Sequence, residues 1–150
     1  MNLIRRRFPL HFAGLVIALT ACAKYEESPE DKTTKEKFVG YWYWSYIWHG
    51  ITFHILTVRK ADGTWIRYKR LHSTQPEAIE NYEDSGKWGI NFGRYVEKVL
   101  VEDGQSVGVG EREKRYIVKA VSEKSIQLEG ERIKGEPQIE IRVPSTFQLP

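Results

Sequence analysis

In "FVGYWYWSYIW", residues 38–48, tryptophan and tyrosine alternate along most of the segment. Aromatic residues are enriched in β-strands, where successive side chains point to opposite faces. Trp42, Trp44, Tyr46 and Trp48 therefore share one face of a predicted strand. Tyr41 and Tyr43 lie on the other face. Both faces of this strand carry large apolar surface and need partners.

The same two-residue period recurs outward from this segment to the end of the chain. Further strands are predicted at residues 51–59, 64–71, 86–90, 94–101, 115–121, 125–131 and 137–143. Short polar or glycine-containing turns separate most of them. One is Asp62-Gly63, where glycine supplies the positive φ of a hairpin turn.

Eight strands joined mostly by short turns predict an antiparallel meander, because parallel strands need crossovers of a dozen or more residues. Residues 72–84 and 102–114 are long enough for a crossover. The first segment has the composition for one or two helical turns, and the second is rich in glycine and charge. Closure of the meander would remove its exposed edges. We therefore predict an all-β fold, an eight-stranded antiparallel up-and-down barrel.

The N-terminal region predicts export. Three arginines at positions 5–7 precede an apolar stretch over residues 8–21, which is shorter than the roughly 20 residues a membrane-spanning helix needs. Residues 1–21 are predicted to be a signal peptide. Residues 22–37 are too polar to bury much apolar surface and are predicted to be a flexible tether. Residues 38–150 are predicted to form one domain.

The end of the apolar stretch, Leu19-Thr20-Ala21-Cys22, resembles the lipobox of bacterial lipoproteins. This resemblance implies that Cys22 carries diacylglycerol and that its new amino group carries a fatty acid such as palmitate. The alternative, a core cysteine behind a buried helix, is disfavoured by the charged flanks. Ala23 rather than aspartate favours the outer membrane by resemblance to enterobacterial sorting. We expect a protein anchored to the bacterial cell envelope, facing the periplasm.

The charge of the chain argues against nucleic acid as a partner. The formal charge is +3, from 23 basic and 20 acidic residues, but three of the arginines lie in the predicted signal and every acidic residue follows Cys22. The mature chain is therefore formally neutral and lacks the positive footprint of a phosphate-binding protein. With its one cysteine acylated, the chain has no internal disulfide, and stability must come from burial.

Gly40-Tyr41-Trp42 resembles the Gly-x-Trp motif of lipocalins and related calycins, and Arg142 stands where those proteins often carry an arginine over that tryptophan. Residues 61–65 ("ADGTW") and 85–90 ("SGKWGI") are similar to segments of short bacterial lipocalin-like domains. The resemblance covers roughly residues 38–143. It implies a lipocalin-like barrel whose floor is closed by Gly40, Trp42 and Arg142.

The alternation of the last strand keeps a second interpretation of Arg142 open. In "PQIEIRV", Arg142 shares a face with Glu140 and lies opposite Ile139, Ile141 and Val143. A face bearing charged residues is expected toward solvent.

Two kinds of function fit this fold. In the first, the barrel binds a small apolar ligand, because ligand sites are mostly apolar with few polar groups. The predicted lining residues are Trp42, Trp44, Tyr46, Trp65, Trp88 and Tyr116. In the second, the barrel is filled, as eight strands allow, and the protein acts through its surface on an envelope protein. Outward-facing Tyr41 and Tyr43 would suit an inhibitor, an immunity protein or an envelope-assembly factor.

The sequence predicts neither an enzyme, nor a metal site, nor a cofactor, and we expect a monomer. Residues 104–108 match Gly-x-Ser-x-Gly, but that elbow requires an α/β sheet, and here a glycine-rich hairpin loop is predicted. His49 and His54 are five apart, a spacing that suits neither a strand face nor a helical metal pair, and His72 is distant in sequence.

Overall fold

The computed structural model describes residues 27–74, 77–107, 112–131 and 137–150. The predicted signal peptide and Cys22 lie outside these residues. The described chain begins with helix α1 (Pro29–Phe38). The strands that follow are β1 (Gly40–Trp48), β2 (Ile51–Arg59), β3 (Thr64–Thr74), β4 (Glu77–Asn91), β5 (Arg94–Glu102), β6 (Gln105–Ser106), β7 (Arg112–Val121), β8 (Ser125–Gly130) and β9 (Gln138–Val143).

Eight of these strands form a closed antiparallel barrel. Each long strand pairs with the next along the chain, β4 pairs with β5, and β9 returns to pair with β1. The two-residue strand β6 pairs with β5 and does not contribute to closure. The predicted eight-stranded, all-β, up-and-down barrel is confirmed.

The meander gives the barrel two distinct ends. The turns after β2, β4 and β7 lie at one end together with α1, and we call this the closed end. Strands β1, β3, β5 and β8 end at the other, which we call the open end. The β3–β4 hairpin extends far toward the open end, because β3 and β4 stay paired from Thr64↔Lys87 to Thr74↔Glu77. Pairing of β4 with β5 stops at Ser85↔Val101.

Helix α1 replaces most of the flexible tether that the sequence predicted for residues 22–37. Ser28 caps the helix by accepting a hydrogen bond from Asp31 N at 3.1 Å, and Pro29 occupies the first turn. Acidic residues in the first turn and lysines in the last complement the helix dipole. Phe38, at the helix end, is fully buried in the barrel. Residues 29–37 of the predicted tether are therefore helical, because local capping and one buried aromatic compensate for a polar composition.

Residues 72–74 and 77–84 form strand rather than the helical turns allowed by the sequence. Here the end of β3 and the start of β4 are paired residue by residue, as at Ser73↔Ala78 and Leu71↔Glu80. A helix of one or two turns is unfavourable in isolation, whereas a hairpin that continues an existing ladder gains a pairing with each added residue.

Strand β9 alternates as predicted, but its charged face turns inward. Glu140 is fully buried, whereas Ile139 is 56% exposed and Ile141 also faces outward. The inward position of Glu140 is stabilised by a buried arginine. Hydrophobicity alone therefore indicated the wrong face of this strand.

Candidate functional site

The floor of the barrel is built around Trp42. Its indole Nε1 donates to the carbonyl of Phe38 at 2.7 Å, and Cζ of Arg142 lies 4.4 Å from the centre of a Trp42 ring. The Arg142 guanidinium also donates to the carbonyls of Lys37 and Val39 at 2.8 and 3.0 Å. The structure thus places Arg142 over Trp42, although much of the arginine remains exposed. This arrangement ties α1, β1 and β9 together.

Gly40 makes this floor sterically possible. Its φ is +133°, and a β-carbon here would lie 2.6 Å from Nη1 of Arg142. Any other residue would have to displace the arginine while adopting a backbone conformation that side chains disfavour. The three residues that the resemblance singled out, Gly40, Trp42 and Arg142, are in mutual proximity.

The closed half of the barrel is packed with side chains. Its buried cluster consists of Phe38, Trp42, Trp65, Trp88, Ile90, Tyr95, Val99, Ile126 and Leu128. Nε1 of Trp65 donates to Lys87 O at 3.0 Å, and Nε1 of Trp88 donates to Thr64 O at 2.9 Å. Of the predicted ligand-lining residues, Trp42, Trp65 and Trp88 therefore belong to a core whose polar atoms are paired, and Tyr116 packs against its edge.

Two buried ion pairs cross the barrel interior above this core. Arg59 binds Glu140 with nitrogen–oxygen distances of 2.5 and 2.9 Å, and Arg67 binds Glu97 at 2.8 and 3.2 Å. All four residues are buried. The hydroxyl of Tyr95 links the pairs, since it accepts from Arg59 Nε at 3.0 Å and donates to Glu97 at 2.9 Å. Sequence reasoning missed this network, because each partner is remote in sequence from the other.

Three groups of the network, Glu97, Tyr95 and Arg59, have shifted pKa values. Burial opposes ionisation of Glu97, but the Arg67 guanidinium outweighs that penalty and leaves the pKa of Glu97 below its ordinary value. Burial also raises the pKa of Tyr95 well above 10.0. Arg59 keeps its proton because Glu140 more than offsets the penalty of burial, so that the pKa of Arg59 is raised. The three shifts keep Glu97 ionised, Tyr95 neutral and Arg59 protonated near neutral pH.

The open half carries an aromatic stack formed by Trp44, Tyr46 and Phe53. The rings of Trp44 and Tyr46 are 5.0 Å apart at 17°, and those of Tyr46 and Phe53 are 4.7 Å apart at 6°. Tyr46 pairs directly with Phe53 across the β1–β2 hairpin, which places both on the inner face. Sequence reasoning identified Trp44 and Tyr46. It missed Phe53, which pairing of the two predicted strands across the His49-Gly50 turn would have revealed.

Trp44 differs from the buried tryptophans of the closed half in its hydrogen bonding. Its Nε1 is buried and has no hydrogen-bond partner among the described residues. A buried donor left unpaired costs about 1–3 kcal/mol. The aromatic stack therefore presents an apolar surface beside one donor that an acceptor would satisfy.

The charged groups at the rim of the stack neutralise one another. Lys69 Nζ lies 2.6 Å from Asp103 and 3.1 Å from Asp84, and 5.4 Å from the centre of the Tyr82 ring. Burial lowers the pKa of Lys69, but the hydrogen bonds that Lys69 donates to Asp103 and Asp84 outweigh this effect and raise the pKa. Among the described residues, Lys69 lies between two carboxylates and therefore offers no excess positive charge to an anionic ligand.

The outer face of β1 is partly covered by the C-terminal segment. The Tyr43 ring lies 5.0 Å from that of Phe147, and its hydroxyl lies 2.8 Å from His54 Nδ1. Arg70 holds the same segment by donating to Leu149 O at 2.7 Å. Tyr43, predicted as a surface for a partner, is thus half-buried by the chain itself.

Comparison with known proteins finds no matching family model and no matching curated protein. None of the described residues belongs to a helix long and apolar enough to cross a membrane. Nor does the described part of the chain contain a cluster of three or more His, Cys, Asp or Glu side chains suited to a metal ion.

Proposed function

We propose that this chain is a lipid-anchored protein of the bacterial envelope whose lipocalin-like barrel binds a small, largely apolar ligand at its open end. The observation that carries the proposal is the aromatic stack at that end, in which Trp44 Nε1 is buried without a partner among the described residues. The closed half, in contrast, is filled and its indoles are hydrogen-bonded.

The site favours an uncharged ligand with a flat apolar face and one hydrogen-bond acceptor. A flat face would stack on Tyr46 or Phe53, as aromatic groups prefer offset parallel contact. The acceptor would meet Trp44 Nε1. An anionic group would gain little from Lys69, because Asp84 and Asp103 already bind that lysine.

Titration with the neutral fluorescent probe Nile red tests the site. We expect Trp44→Ala and Phe53→Ala to weaken probe binding by about tenfold each, since loss of a stacking surface and its buried area is worth roughly 1.5 kcal/mol. Phe92→Ala removes an exposed aromatic side chain at the opposite end and serves as the matched control. Binding that survives the stack variants, or that is lost with Phe92→Ala, would contradict the proposal.

The membrane anchor rests on the lipobox resemblance of residues 19–22 and is tested separately. We expect Cys22→Ser to release the protein from membranes of its host. Mass spectrometry of the wild-type N-terminus should show the acyl chains on Cys22. An unmodified Cys22 would refute the anchor and leave the binding site untouched.

A second candidate, an interaction protein that acts on another envelope component, is favoured by the tip of the β1–β2 hairpin. Ile47 and Trp48 are 74% and 60% exposed there. Exposed apolar side chains clustered at one tip are typical of protein contact sites. Cross-linking in the envelope, with an Ile47→Ser/Trp48→Ser variant as comparison, would reveal a partner that depends on this tip.

A further inference from the structure

The tip of the β1–β2 hairpin presents apolar side chains on both of its faces. Trp48 shares the inner face of β1 with Trp44 and Tyr46, whereas Ile47 points to the outer face, because successive residues of a strand alternate. Ile47 is 74% exposed and Trp48 is 60% exposed. The barrel therefore leaves a large apolar side chain in solvent on each face of the tip.

A tight turn holds these side chains in place. Trp48 pairs directly with Ile51, and His49 and Gly50 between them have φ values of +48° and +78°. Two successive residues with positive φ form the turn whose twist matches that of a hairpin. The Trp48 ring also contacts the His49 ring edge-on, with centroids 4.5 Å apart. The exposed side chains thus project from a paired hairpin rather than from an irregular loop.

The whole hairpin down to its base is uncharged in formal terms. Residues 38–58 contain no Asp, Glu, Lys or Arg, although these residues make up 29% of the chain. Charged side chains oppose entry into lipid, and tryptophan is enriched at the level of the lipid headgroups. The composition of the hairpin therefore suits contact with a membrane interface.

The size of the tip favours lipid over protein as its partner. Two side chains at these exposures offer on the order of 300 Å², whereas a stable protein interface buries roughly 800 Å² on each partner. Binding to a lipid interface instead grows with whatever apolar area is buried and needs no matched surface. Lipid also surrounds an inserted tip, so it covers Ile47 and Trp48 at once although they point to opposite faces.

We propose that the tip of the β1–β2 hairpin inserts into the headgroup layer of a membrane and turns the open end of the barrel toward the lipid. The aromatic stack can then receive its apolar ligand from the lipid phase. Tyr46 lies two residues before Trp48 on the same face, so apolar surface continues from the tip into the barrel. The ligand route rests on the proposed binding site, whereas insertion of the tip does not.

The proposed anchor at Cys22 is compatible with this orientation. Ser28 lies six residues after Cys22, and six residues reach at most about 20 Å. Strand β1 has nine residues and is about 30 Å long. Because α1 lies at the closed end, the acyl chains and the tip reach the same membrane when the barrel is inclined rather than upright.

Quenching of tryptophan by brominated lipid tests the insertion. The sample is the mature chain, residues 22–150 with Cys22→Ser, which contains every described helix and strand and carries no acyl group. On vesicles of phosphatidylcholine brominated in the upper acyl chain, we expect the fluorescence of this chain to be quenched. Trp48→Phe keeps an apolar tip but lacks the exposed indole, and most of the quenching should disappear. An unquenched chain, or equal quenching in Trp48→Phe, would overturn the proposal.

Sedimentation with phosphatidylcholine vesicles measures the strength of the contact. We expect Ile47→Ser/Trp48→Ser to weaken vesicle binding at least about tenfold, since burial of one large apolar side chain is worth more than that factor. The matched control is Ile139→Ser/Ile141→Ser, which removes two isoleucines that are 56% and 48% exposed on the outer face of β9. This control should bind as the parent chain does, and circular dichroism verifies that both variants are folded. Equal loss in the two pairs would show that the tip is not the site of insertion.

Failure of the insertion and failure of the ligand site give different results. Nile red titration without vesicles reports on the aromatic stack alone, whereas quenching by brominated lipid reports on the tip alone. If vesicles do not quench the chain but a protein cross-links in the envelope only when Ile47 and Trp48 are present, the tip binds protein and the lipid proposal is wrong.

Discussion

The two halves of this barrel use the same residue types in opposite ways. In the closed half, Trp42, Trp65 and Trp88 are buried and each indole nitrogen donates to a backbone carbonyl. In the open half, Trp44 keeps a buried donor unpaired among the described residues, and Trp48 is 60% exposed. Trp42, Trp44 and Trp48 all come from the single strand β1, whereas Trp65 and Trp88 lie on β3 and β4.

This difference separates, along one strand, residues that stabilise the fold from residues of the proposed binding site. The closed half is filled and its indoles are hydrogen-bonded, so it can stabilise the fold by itself. The open half can then contain exposed rings and a donor that is unpaired among the described residues. Proteins commonly tolerate such locally unfavourable features where they bind something.

The largest expected effect comes from truncation of the tryptophan at the closed end. Trp42→Ala should lower the free energy of unfolding by about 5 kcal/mol, because it opens a core cavity and also removes the ring beneath Arg142. Trp48→Ala, on the same face of the same strand, should change it by no more than about 0.5 kcal/mol. Urea denaturation followed by circular dichroism measures both. Equal losses of unfolding free energy in the two variants would show that both ends of β1 contribute equally to stability.

Removal of one partner from a buried ion pair should have the next largest effect. Glu140→Leu leaves Arg59 charged and buried, at an expected cost of about 3 kcal/mol or more. The double variant Arg59→Met/Glu140→Leu should recover most of this loss, since apolar residues of similar volume replace the pair. Urea denaturation of the single and double variants tests this. A double variant no more stable than Glu140→Leu would mean that the pair itself organises the barrel.

Acid should weaken the second pair more gently, because a protonated Glu97 loses its charge but can still accept a hydrogen bond from the buried Arg67. Burial raises the pKa of Glu97, but the attraction of Arg67 lowers it by more. The pKa of Glu97 therefore lies below its ordinary value of 4.5. The pair therefore contributes its full stability above pH 4.5, and that contribution is lost as pH falls through the lowered pKa. Glu97→Gln should flatten the acid limb of a stability–pH curve. An unchanged limb would contradict this assignment.

The fold could be predicted from the sequence because its signal is periodic and local. Alternating aromatic residues, short turns and the absence of long crossovers together specify an up-and-down barrel. The inward charges could not be predicted in the same way. Arg59 and Glu140 are 81 residues apart, and a charged residue in an alternating strand is ordinarily assigned to solvent. Their inward position depends on a pairing that only the closed barrel creates.

The candidate site was predictable in part for the same reason. Trp44 and Tyr46 follow from the alternation of β1, which is a property of one segment. The distinction between Trp44, which is unpaired, and Trp65, which is paired, depends on where a carbonyl from another strand lies. That information is absent from local sequence, as was the packing of Phe38 that turned a polar segment into helix α1.

A moderate effect is expected at the barrel floor. Gly40→Ala forces a β-carbon to within 2.6 Å of Arg142 at a φ of +133°. We expect a loss of about 1–3 kcal/mol, the usual range for one strained backbone position. Gly50→Ala, at a positive φ of the open-end turn with no neighbouring atom within 4 Å, separates the backbone cost from the clash. The free energy of unfolding of both variants is measured by urea denaturation. Equal losses would show that the Arg142 side chain moves away from the new β-carbon without destabilising the protein.

The smallest effect should come from the most conservative change, replacement of tryptophan by phenylalanine. Trp65→Phe removes the indole N–H that donates to Lys87 O. The carbonyl left without a donor should lower the free energy of unfolding by about 1 kcal/mol, in addition to the effect of the lost ring area. Trp44→Phe removes a buried donor that has no partner among the described residues. The same loss of ring area is therefore offset, because the cost of burying an unpaired N–H disappears. The two variants should therefore differ by about 1–2 kcal/mol in free energy of unfolding, with Trp44→Phe close to wild type. Nile red binding should show the reverse order, because Trp44 Nε1 is the donor available to a ligand. If Trp44→Phe destabilises the protein as much as Trp65→Phe does, its indole nitrogen already has a partner within the fold, and the division between the two halves does not extend to hydrogen bonding.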